Sequence, residues 1–438
     1  MRHGTFLVTA LFTVAGISFS ATVIEPTFRA SVSERGTQSN DRSQKPVLSP
    51  TGRLLGFTSW ATNLVTGDTN GWIDGFVHDL STRRTIRVSV GANGIQSNGA
   101  SVLEAISGDE RFVSFYSEGT NLVPGDSNGV GDVFVRDLLS NSTERISIGQ
   151  DGVEADAGSD HSCISENGRY IAFRSRGTNL VDGDTNGWDD IFMRDRLRGV
   201  TIRVSESSRG EQANLYSGRP SITSDGRYVC FQSYASNLVD GDTNRTQDVF
   251  VHDTWTRITE RVSVSTDGTQ GNSDSGVVSG IAISPDGRYV AFSSTASNLV
   301  SGDTNRTYDG FVRDRWLGTT VRVTVRSDGG QGNHGGGIAM LTDDGHYALL
   351  ASPSTNLTDD GDINDRLADI FMHDMWSGET WRISNNTNGE QGNAQSEACV
   401  MSANGMVVAF ASNATNLVPN DTNGFMDIFV HINSRLRR

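Results

Sequence analysis

Short runs of β-branched and aromatic residues recur along the chain and are separated by clusters of Gly, Asn, Asp and Ser. Between residues 46 and 90 four such runs are visible, at 46–49, 54–59, 75–79 and 85–90. Their hydrophobic residues follow the strand-and-turn pattern and not the helical period of 3.6 residues. The pattern therefore predicts a unit of four short strands joined by turns.

This unit recurs seven times along the chain. Two positions recur in every copy, an Asp that opens the loop after the second strand and an Asn just before it. The Asp residues are Asp68, Asp126, Asp184, Asp242, Asp303, Asp362 and Asp421, and the Asn residues are Asn63, Asn121, Asn179, Asn237, Asn298, Asn356 and Asn416. Seven four-stranded units predict an all-β, seven-bladed β-propeller.

The two ends of the chain indicate how the propeller closes. Residues 28–33 match the fourth strand of the first unit, while the last unit stops after its third strand, near 429–431. We therefore expect the N-terminal strand to complete blade seven, a one-plus-three closure that leaves no unpaired edge. The prediction is one propeller domain over residues 21–438.

Residues 1–20 have the pattern of a signal peptide: Arg2 and His3, an apolar run over 6–17, and small residues up to Ser20. No later apolar stretch approaches the length of a membrane-spanning helix. The mature chain is therefore expected to be exported to the periplasm, the cell surface or the exterior. Its three cysteines are too few for a disulfide scaffold, and we expect no essential disulfide.

One copy of the repeat reads Ser-Pro-Asp-Gly-Arg-Tyr-Val-Ala-Phe over residues 284–292, and the third strands read Asp-Ile/Val-Phe-Val. These motifs resemble the TolB-type, WD-repeat-like propeller repeat of exported bacterial proteins. The resemblance implies the fold but not one activity, because such propellers serve as interaction platforms, enzyme appendages and polysaccharide lyases. The sequence shows neither the α/β domain of a TolB-like protein nor the hydrolase domain of a prolyl-oligopeptidase-like enzyme.

In a propeller the innermost strand comes first in each blade, so the second-to-third loops and the blade-to-blade connections share one face. Here these are Asn-Leu-Val-x-Gly-Asp-Thr-Asn loops and Gly-x-Gln-x-Asn connections, and we call this side the long-loop face. The opposite, short-turn face carries tight Asp-Gly-Arg turns. Because binding residues concentrate on long loops, we expect any working surface on the long-loop face.

The loop motif Asp-x-Asn-Gly-x-x-Asp is a candidate cation site, because Ca²⁺ takes six to eight oxygen ligands. The same residues are common in turns that bind no ion, and Arg245 and Arg306 replace the Gly in two blades. Calcium in some loops and purely structural turns both remain open. The candidate calcium ligands are Asp68, Asn70, Asp74, Asp126, Asn128, Asp132, Asp182, Asp184, Asn186, Asp190, Asp421, Asn423 and Asp427.

A formal charge of −16 argues against nucleic acid and anionic membranes as partners, since both attract basic surfaces. A residue repeated in every blade is better suited to holding blades together, so a functional site is expected among the exceptions near the channel mouth. Those candidates are Lys45, Glu104, Asp160, His161, Arg219 and Glu397.

His161 beside Asp160 is a candidate acid/base pair or metal ligand, although a lone loop histidine is more often a surface or packing residue. No nucleophile-elbow or zinc motif is present in the sequence. The sequence therefore favours a monomeric, non-enzymatic binding or scaffold propeller with a protein or glycan partner. The alternative is a carbohydrate-active enzyme, a polysaccharide lyase or glycosidase, acting at the channel mouth.

Overall fold

The computed structural model describes residues 13–14, 17–18, 26–277 and 280–437. Two short strands, Thr13–Val14 and Ile17–Ser18, pair antiparallel near the N-terminus. The predicted signal peptide, residues 1–20, otherwise lies outside the described residues. No helix in the described part of the chain is long and apolar enough to cross a membrane.

Seven four-stranded antiparallel sheets follow one another, which confirms the predicted seven-bladed β-propeller. Blades one to four are Ser43–Leu48, Leu54–Ser59, Asp74–Asp79, Arg84–Arg87; Ser101–Ile106, Phe112–Ser117, Asp132–Asp137, Ser142–Arg145; Ser159–Ile164, Tyr170–Ser175, Asp190–Asp195, Val200–Arg203; and Ser217–Ile222, Tyr228–Ser233, Asp248–Asp253, Ile258–Arg261. Blades five and six are Ala282–Ile283, Tyr289–Ser294, Asp309–Asp314, Thr319–Arg322; and Gly337–Leu341, Tyr347–Ser352, Asp369–Asp374, Thr380–Arg382. Two 3₁₀ helices, Ala92–Gly94 and Ser434–Arg437, complete the described elements.

Blade seven combines the two ends of the chain. Its strands Ser396–Met401, Val407–Ser412 and Asp427–Ile432 are joined by Thr27–Arg29 as the outer strand. Phe28 lies opposite Val430 in this antiparallel pair. The N-terminal segment thus fills the fourth position of a sheet that the C-terminal segment begins.

The strand boundaries differ from the sequence prediction in the innermost and outermost strands. The first strand of blade one starts at Ser43, three residues early, because a β-bulge between Gln44 and Val47 lets the strand continue past Lys45. The fourth strand ends at Arg87, where the chain bends so that the Val88 amide donates to the carbonyl of Gly75.

Phenylalanine pairs form the centre of most blades. In blade one Phe57 and Phe76 lie opposite each other on adjacent strands, with ring centroids 5.9 Å apart and no exposed surface. The same pairing recurs at Phe115/Phe134, Phe173/Phe192, Phe231/Phe250, Phe292/Phe311 and Phe410/Phe429. Buried aliphatic side chains then fill the seams between neighbouring blades, including the seam between blades seven and one. The hydrophobic core therefore consists of clusters that lie between neighbouring blades, and a unit of this length needs no separate core of its own.

The repeated Asn of each long loop joins that loop to the preceding blade-to-blade connection. Asn121 accepts from the amide of Asn98 at 3.1 Å and donates to the carbonyl of Gln96 at 2.8 Å. The corresponding amide donation is made to all seven residues, Asn63, Asn121, Asn179, Asn237, Asn298, Asn356 and Asn416. These contacts place the loops and connections together on the long-loop face, as the sequence predicts.

Candidate functional site

The repeated loop carboxylates surround an arginine of the fourth strand. In blade one Arg87 lies 3.0 Å from Asp68 and 3.2 Å from Asp74. Asp74 also accepts from Ser89 at 2.5 Å and from the Asn70 amide group at 2.9 Å. The side chains of Asp74 and Asp68 are almost fully buried, so this guanidinium supplies the charge that compensates them.

The arrangement recurs around the ring, and we call each copy a loop cluster. Six loop clusters join one arginine to the loop Asp and to the first Asp of the third strand: Arg29/Asp421/Asp427, Arg87/Asp68/Asp74, Arg145/Asp126/Asp132, Arg203/Asp184/Asp190, Arg261/Asp242/Asp248 and Arg322/Asp303/Asp309. In blade six Arg382 instead pairs with Asp360 and Asp369. Arg29 makes the equivalent ion pairs from the closing N-terminal strand of blade seven.

This geometry bears on the calcium prediction. Asn70 turns its amide nitrogen toward Asp74 and the carbonyl of Ser97, while its oxygen accepts from the Trp72 amide. The oxygen of this side chain is therefore already engaged in one hydrogen bond, and its nitrogen, which cannot ligate an ion, faces Asp74. Asp182, the extra acid of blade three, is exposed to solvent. Within the described residues no group of three or more His, Cys, Asp or Glu side chains is arranged to hold a metal.

The pKa values of the acids show how burial and the ion pair with arginine oppose each other within the loop clusters. Burial raises the pKa of Asp68 even though Arg87 opposes the shift. In blade three the guanidinium of Arg203 lies farther away, at 3.5 Å from Asp184 and 4.0 Å from Asp190. Burial there raises the pKa of Asp190 to about 6. The ion pairs thus offset only part of the cost of burying these acids.

The innermost strands are bulged near the channel mouth, and the bulges orient three of the predicted residues. Lys45, His161 and Arg219 occupy equivalent positions on blades one, three and four, with φ of 50°, 51° and 50°. Ala398 has the same conformation on blade seven, with φ of 49°. Residues other than glycine rarely adopt this left-handed region, so each bulge is a locally strained point that redirects one side chain.

Glu104 of blade two reaches across the seam to blade three. Its carboxylate accepts from the backbone amides of His161 and Ser162, both at 2.7 Å, and from the Ser162 hydroxyl at 2.5 Å. Burial raises the pKa of Glu104, although the hydrogen bonds from Ser162 oppose the shift. The carboxylate therefore holds the bulge that carries His161 in place.

Asp160 is tied to an arginine that the sequence analysis did not single out. Arg174 donates to both oxygens of Asp160, at 2.7 and 2.5 Å, and to the Tyr216 hydroxyl at 3.0 Å. The His161 Nδ1 atom lies 3.0 Å from Asp160, and its ring is 44% exposed. Burial favours a higher pKa of Asp160, but the hydrogen bonds from His161 and Arg174 outweigh it and lower the pKa.

The structure thus brings Glu104, Asp160 and His161 together, along with Ser162 and Arg174, and we call these five residues the mouth cluster. Lys45 is exposed on blade one, and Glu397, half-buried on blade seven, accepts from Gln395 at 2.7 Å. Arg219 lies on the first strand of blade four.

One signal in the sequence marks Arg174, because it stands where the other second strands carry residues such as Thr58, Gln232 and Ser293. This exception to the repeat is paired with the Asp160 exception on the adjoining strand.

Exposed aromatic side chains add to the long-loop face. Trp72, Trp188 and Phe425 follow the loop glycine on blades one, three and seven, with exposures of 50%, 45% and 41%. Large apolar side chains at this exposure are candidates for contacts with a partner. Together with the mouth cluster they make the long-loop face different from blade to blade.

No family model matches this chain. No curated protein matches it in sequence either.

Solved structures do resemble it. Oligogalacturonate lyase from Vibrio parahaemolyticus aligns with a TM-score of 0.53 and 13% identity, covering 93% of each chain. An oligogalacturonate lyase in complex with manganese aligns with a TM-score of 0.56 and 11% identity, covering 94% of each chain. TolB from Acinetobacter baumannii aligns at 0.40 with 12% identity, covering 83% of this chain and 76% of that chain. At these identities the likeness to the two lyases establishes the propeller fold alone.

Proposed function

We propose that this chain is an exported, non-enzymatic binding propeller whose long-loop face, centred on the mouth cluster, takes a protein or glycan partner. One observation carries the proposal: the acidic groups of the mouth cluster are already paired. Asp160 is held by both ends of the Arg174 guanidinium, and Glu104 accepts three hydrogen bonds. A general base needs a free lone pair close to the substrate proton. The paired carboxylates are better suited to shaping a surface than to proton transfer.

The surroundings of the mouth cluster support a binding role. His161 is exposed at the centre, and Trp188 stands exposed on a long loop of the same blade. Rigid aromatic side chains beside a polar cluster are typical of recognition surfaces, because aromatic rings lose little conformational entropy on binding. The strained bulge fixes His161 in advance, which lowers the cost of binding further.

The test is capture of partners by the purified protein, from an extract of its source cells and on a glycan array. We expect the wild-type chain to retain a defined protein or glycan, and His161→Ala or Trp188→Ala to lose at least tenfold in affinity. Trp316→Ala is the matched control, since Trp316 is 67% exposed on the opposite, short-turn face. Equal losses in all three variants, or no loss in either long-loop variant, would overturn the proposal.

A second candidate is favoured by the contact between His161 and Asp160. A carboxylate on Nδ1 fixes the tautomer of a histidine and leaves Nε2 available as a base. In a polysaccharide lyase such a base removes the proton next to a uronate carboxyl. The bond to the leaving glycosidic oxygen then breaks and a carbon–carbon double bond forms.

Incubation with polygalacturonate separates the two candidates, since the unsaturated product absorbs in the ultraviolet. Under the binding proposal we expect no product at any pH from 5 to 9. Product that disappears in His161→Ala would establish the lyase instead.

Calcium in the loop clusters is a separate proposal that the sequence motif supports and the arginine contacts oppose. A fixed guanidinium already lies against both carboxylates of the cluster, so an added cation would meet a positive charge.

A further inference from the structure

The turns between the third and fourth strands expose large apolar side chains on the short-turn face. In blades two to six, which are consecutive, the second residue after the third strand is a leucine or a tryptophan, and in blade five a leucine follows it. These residues are Leu139, Leu197, Trp255, Trp316, Leu317 and Trp376, and their side chains are between 64% and 78% exposed. We call these six residues the apolar arc. Apolar side chains exposed at one position of successive repeats indicate a surface for a partner.

The turn itself does not require an apolar residue at this position. In blade four the Trp255 amide donates to the Asp253 carboxylate at 2.9 Å, and the same hydrogen bond closes the turn in all five blades of the arc. Blade one makes it with Ser81, whose amide donates to Asp79 at 2.9 Å. Since a serine forms the same turn, and an exposed apolar side chain gains no burial on folding, the apolar arc is not explained by folding.

The repeat places the apolar arc in a plane. Equivalent residues of a propeller are related by rotation about its axis, so their backbone atoms lie at about the same height on the short-turn face. The turns also lie beside the Asp-Gly-Arg turns of that face, because the Thr254 amide donates to the Arg227 carbonyl at 2.8 Å. A planar set of exposed apolar side chains fits a flat partner.

Charge is balanced locally around the apolar arc. Arg227 lies 2.8 Å from Asp253, and its guanidinium also stacks on Trp255, 5.0 Å from the ring centroid. The pair Arg288/Asp314 and the ring of Trp316 repeat this arrangement in blade five. The five turns 137–141, 195–199, 253–257, 314–318 and 374–378 contain five aspartates and four arginines, in a chain with a formal charge of −16. The apolar arc is therefore nearly neutral, although the chain as a whole is acidic.

The composition of the apolar arc favours a lipid surface over two other partners. A sugar ring stacks on tryptophan but would leave Leu139 and Leu197 without a contact. A stable dimer needs about 800 Å² per partner with a closely packed apolar centre, whereas charged pairs separate the apolar side chains here. A bilayer interface accepts tryptophan and leucine beside arginine, and each side chain can enter it independently.

The N-terminal segment joins the propeller on the same side of the molecule. The strand Thr27–Arg29 starts opposite His431, close to the short-turn end of its partner strand. The Ile432 amide donates to the Pro26 carbonyl at 2.5 Å at this end. The apolar run 6–17 precedes this point in the sequence. An apolar segment that meets a membrane during export would therefore bring the short-turn face toward the lipid.

We propose that the apolar arc docks the protein on a phospholipid bilayer, with the long-loop face turned away from the lipid. The tryptophan rings lie at the level of the headgroups, and the leucines reach the edge of the acyl chains. Burial of apolar surface drives the binding, so a zwitterionic lipid is sufficient and anionic lipid does not strengthen it. This inference goes beyond the proposed function and does not depend on it, because the mouth cluster stays free for its own partner.

The experiment is flotation of the purified exported protein with vesicles of phosphatidylcholine, and with vesicles of phosphatidylcholine and phosphatidylglycerol in equal parts. We expect the protein to float with both and to remain bound at high salt. Brominated phosphatidylcholine should quench its tryptophan fluorescence, because the rings of the apolar arc contact the lipid. No flotation with phosphatidylcholine, or flotation only with the anionic vesicles, would overturn the proposal.

Matched variants test the two kinds of side chain separately. The triple variant Trp255→Ser, Trp316→Ser and Trp376→Ser should lose about tenfold or more in affinity for the vesicles. The triple variant Leu139→Ser, Leu197→Ser and Leu317→Ser is the independent test, with an expected loss of about threefold or more. The control is the triple variant Ile95→Ser, Val153→Ser and Ile363→Ser, which changes exposed aliphatic side chains of the long-loop face and should stay within twofold of the wild type.

Two further measurements distinguish the outcomes. Equal flotation of the wild type and both arc variants would refute the proposal. Sedimentation velocity tests the second copy: a wild-type dimer that becomes a monomer in the tryptophan variant, without flotation, would assign the apolar arc to self-association instead. Partner capture by the long-loop face should be unchanged in both arc variants, so a failure of the proposed function and a failure of lipid docking give different results.

Discussion

The loop clusters and the mouth cluster contain the same kinds of side chain but differ in burial and in how often they recur. In the loop cluster of blade two Arg145 holds two carboxylates that are at most 3% exposed, and six blades share this arrangement with little change. In the mouth cluster Arg174 also holds a carboxylate, but Asp160 is 29% exposed and the arrangement occurs in one blade. Repetition with burial therefore indicates stability, and the exposed exception is where we propose that a partner binds.

The histidines also fall into two groups, those on the third strands and His161 in the mouth cluster. His78 and His373 are buried and His431 is half-buried on third strands, and the three contact a threonine hydroxyl at 2.8, 2.8 and 2.9 Å. Arg136, Arg194 and Arg313 take the same place in other blades and reach the equivalent threonine. His161 has no counterpart of this kind and is exposed. The repeated histidines are therefore structural, as their recurrence in the sequence indicates.

The largest expected effect comes from breaking a loop cluster at the closing strand. Arg29→Met removes the partner of Asp421 and Asp427 and should lower the free energy of unfolding by about 3–5 kcal/mol, because two buried carboxylates lose their counter-ion. Chemical denaturation measures the loss. Arg84→Met, on an exposed side chain, is the control and should change little. A loss below about 1 kcal/mol would show that the clusters are not the stabilising elements.

The second prediction concerns the loss of stability at acidic pH. Burial lowers the pKa of His78, His373 and His431 to about 4 from an ordinary value of 6.5. The unfolded chain therefore binds protons below pH 6.5 that the folded chain refuses, and stability falls as the pH drops from 6.5 toward 4. Each histidine contributes on the order of 3 kcal/mol across that window.

Asp190 and Asp369, whose pKa burial raises to about 6, oppose the histidines, because they favour the folded state as the pH falls from 6. Single variants isolate the histidine contribution. His78→Arg copies blades two, three and five and should flatten the loss of stability between pH 6.5 and 4. Melting curves at several pH values check this, and an unchanged slope would contradict it.

A smaller effect is expected at the mouth. Glu104→Gln replaces one of the accepting oxygens by a donor that faces the amides of His161 and Ser162. We expect a loss of about 1–2 kcal/mol in the free energy of unfolding together with weaker partner binding. Glu34→Gln, at an exposed position, should affect neither property. Full stability with lost binding would show that Glu104 contacts the partner directly.

The smallest expected effect is that of calcium. Because an arginine already lies within each loop cluster, the melting temperature should stay the same after addition of CaCl₂ or of a chelator. Differential scanning calorimetry measures it. A clear rise with calcium would support the cation site that the loop motif predicts, and Asp184→Asn would then be the first variant to test, since Arg203 lies 3.5 and 4.0 Å from its acids there.

Much of the site could be predicted from the sequence, and the reasons for the remainder are specific. Glu104, Asp160 and His161 stand out because they break a repeat. Their contact across the seam between two blades could not be predicted, because it depends on the bulge at His161 and on the side-chain reach of Glu104. Arg87 recurs as regularly as Asp68, yet nothing in its strand pattern shows that its side chain turns back to the loop.

The sequence by itself determined the blade number, the strand order within each blade and the face on which the long loops lie, because these follow from local hydrophobic period and turn chemistry repeated seven times. Only the tertiary structure decided which charged side chains lie close enough to contact each other. Loop acids lie 13 or more residues from their arginine, and Glu104 lies 57 residues from His161. Such pairs form through the packing of strands and blades, which fixes side-chain distances that no local pattern encodes.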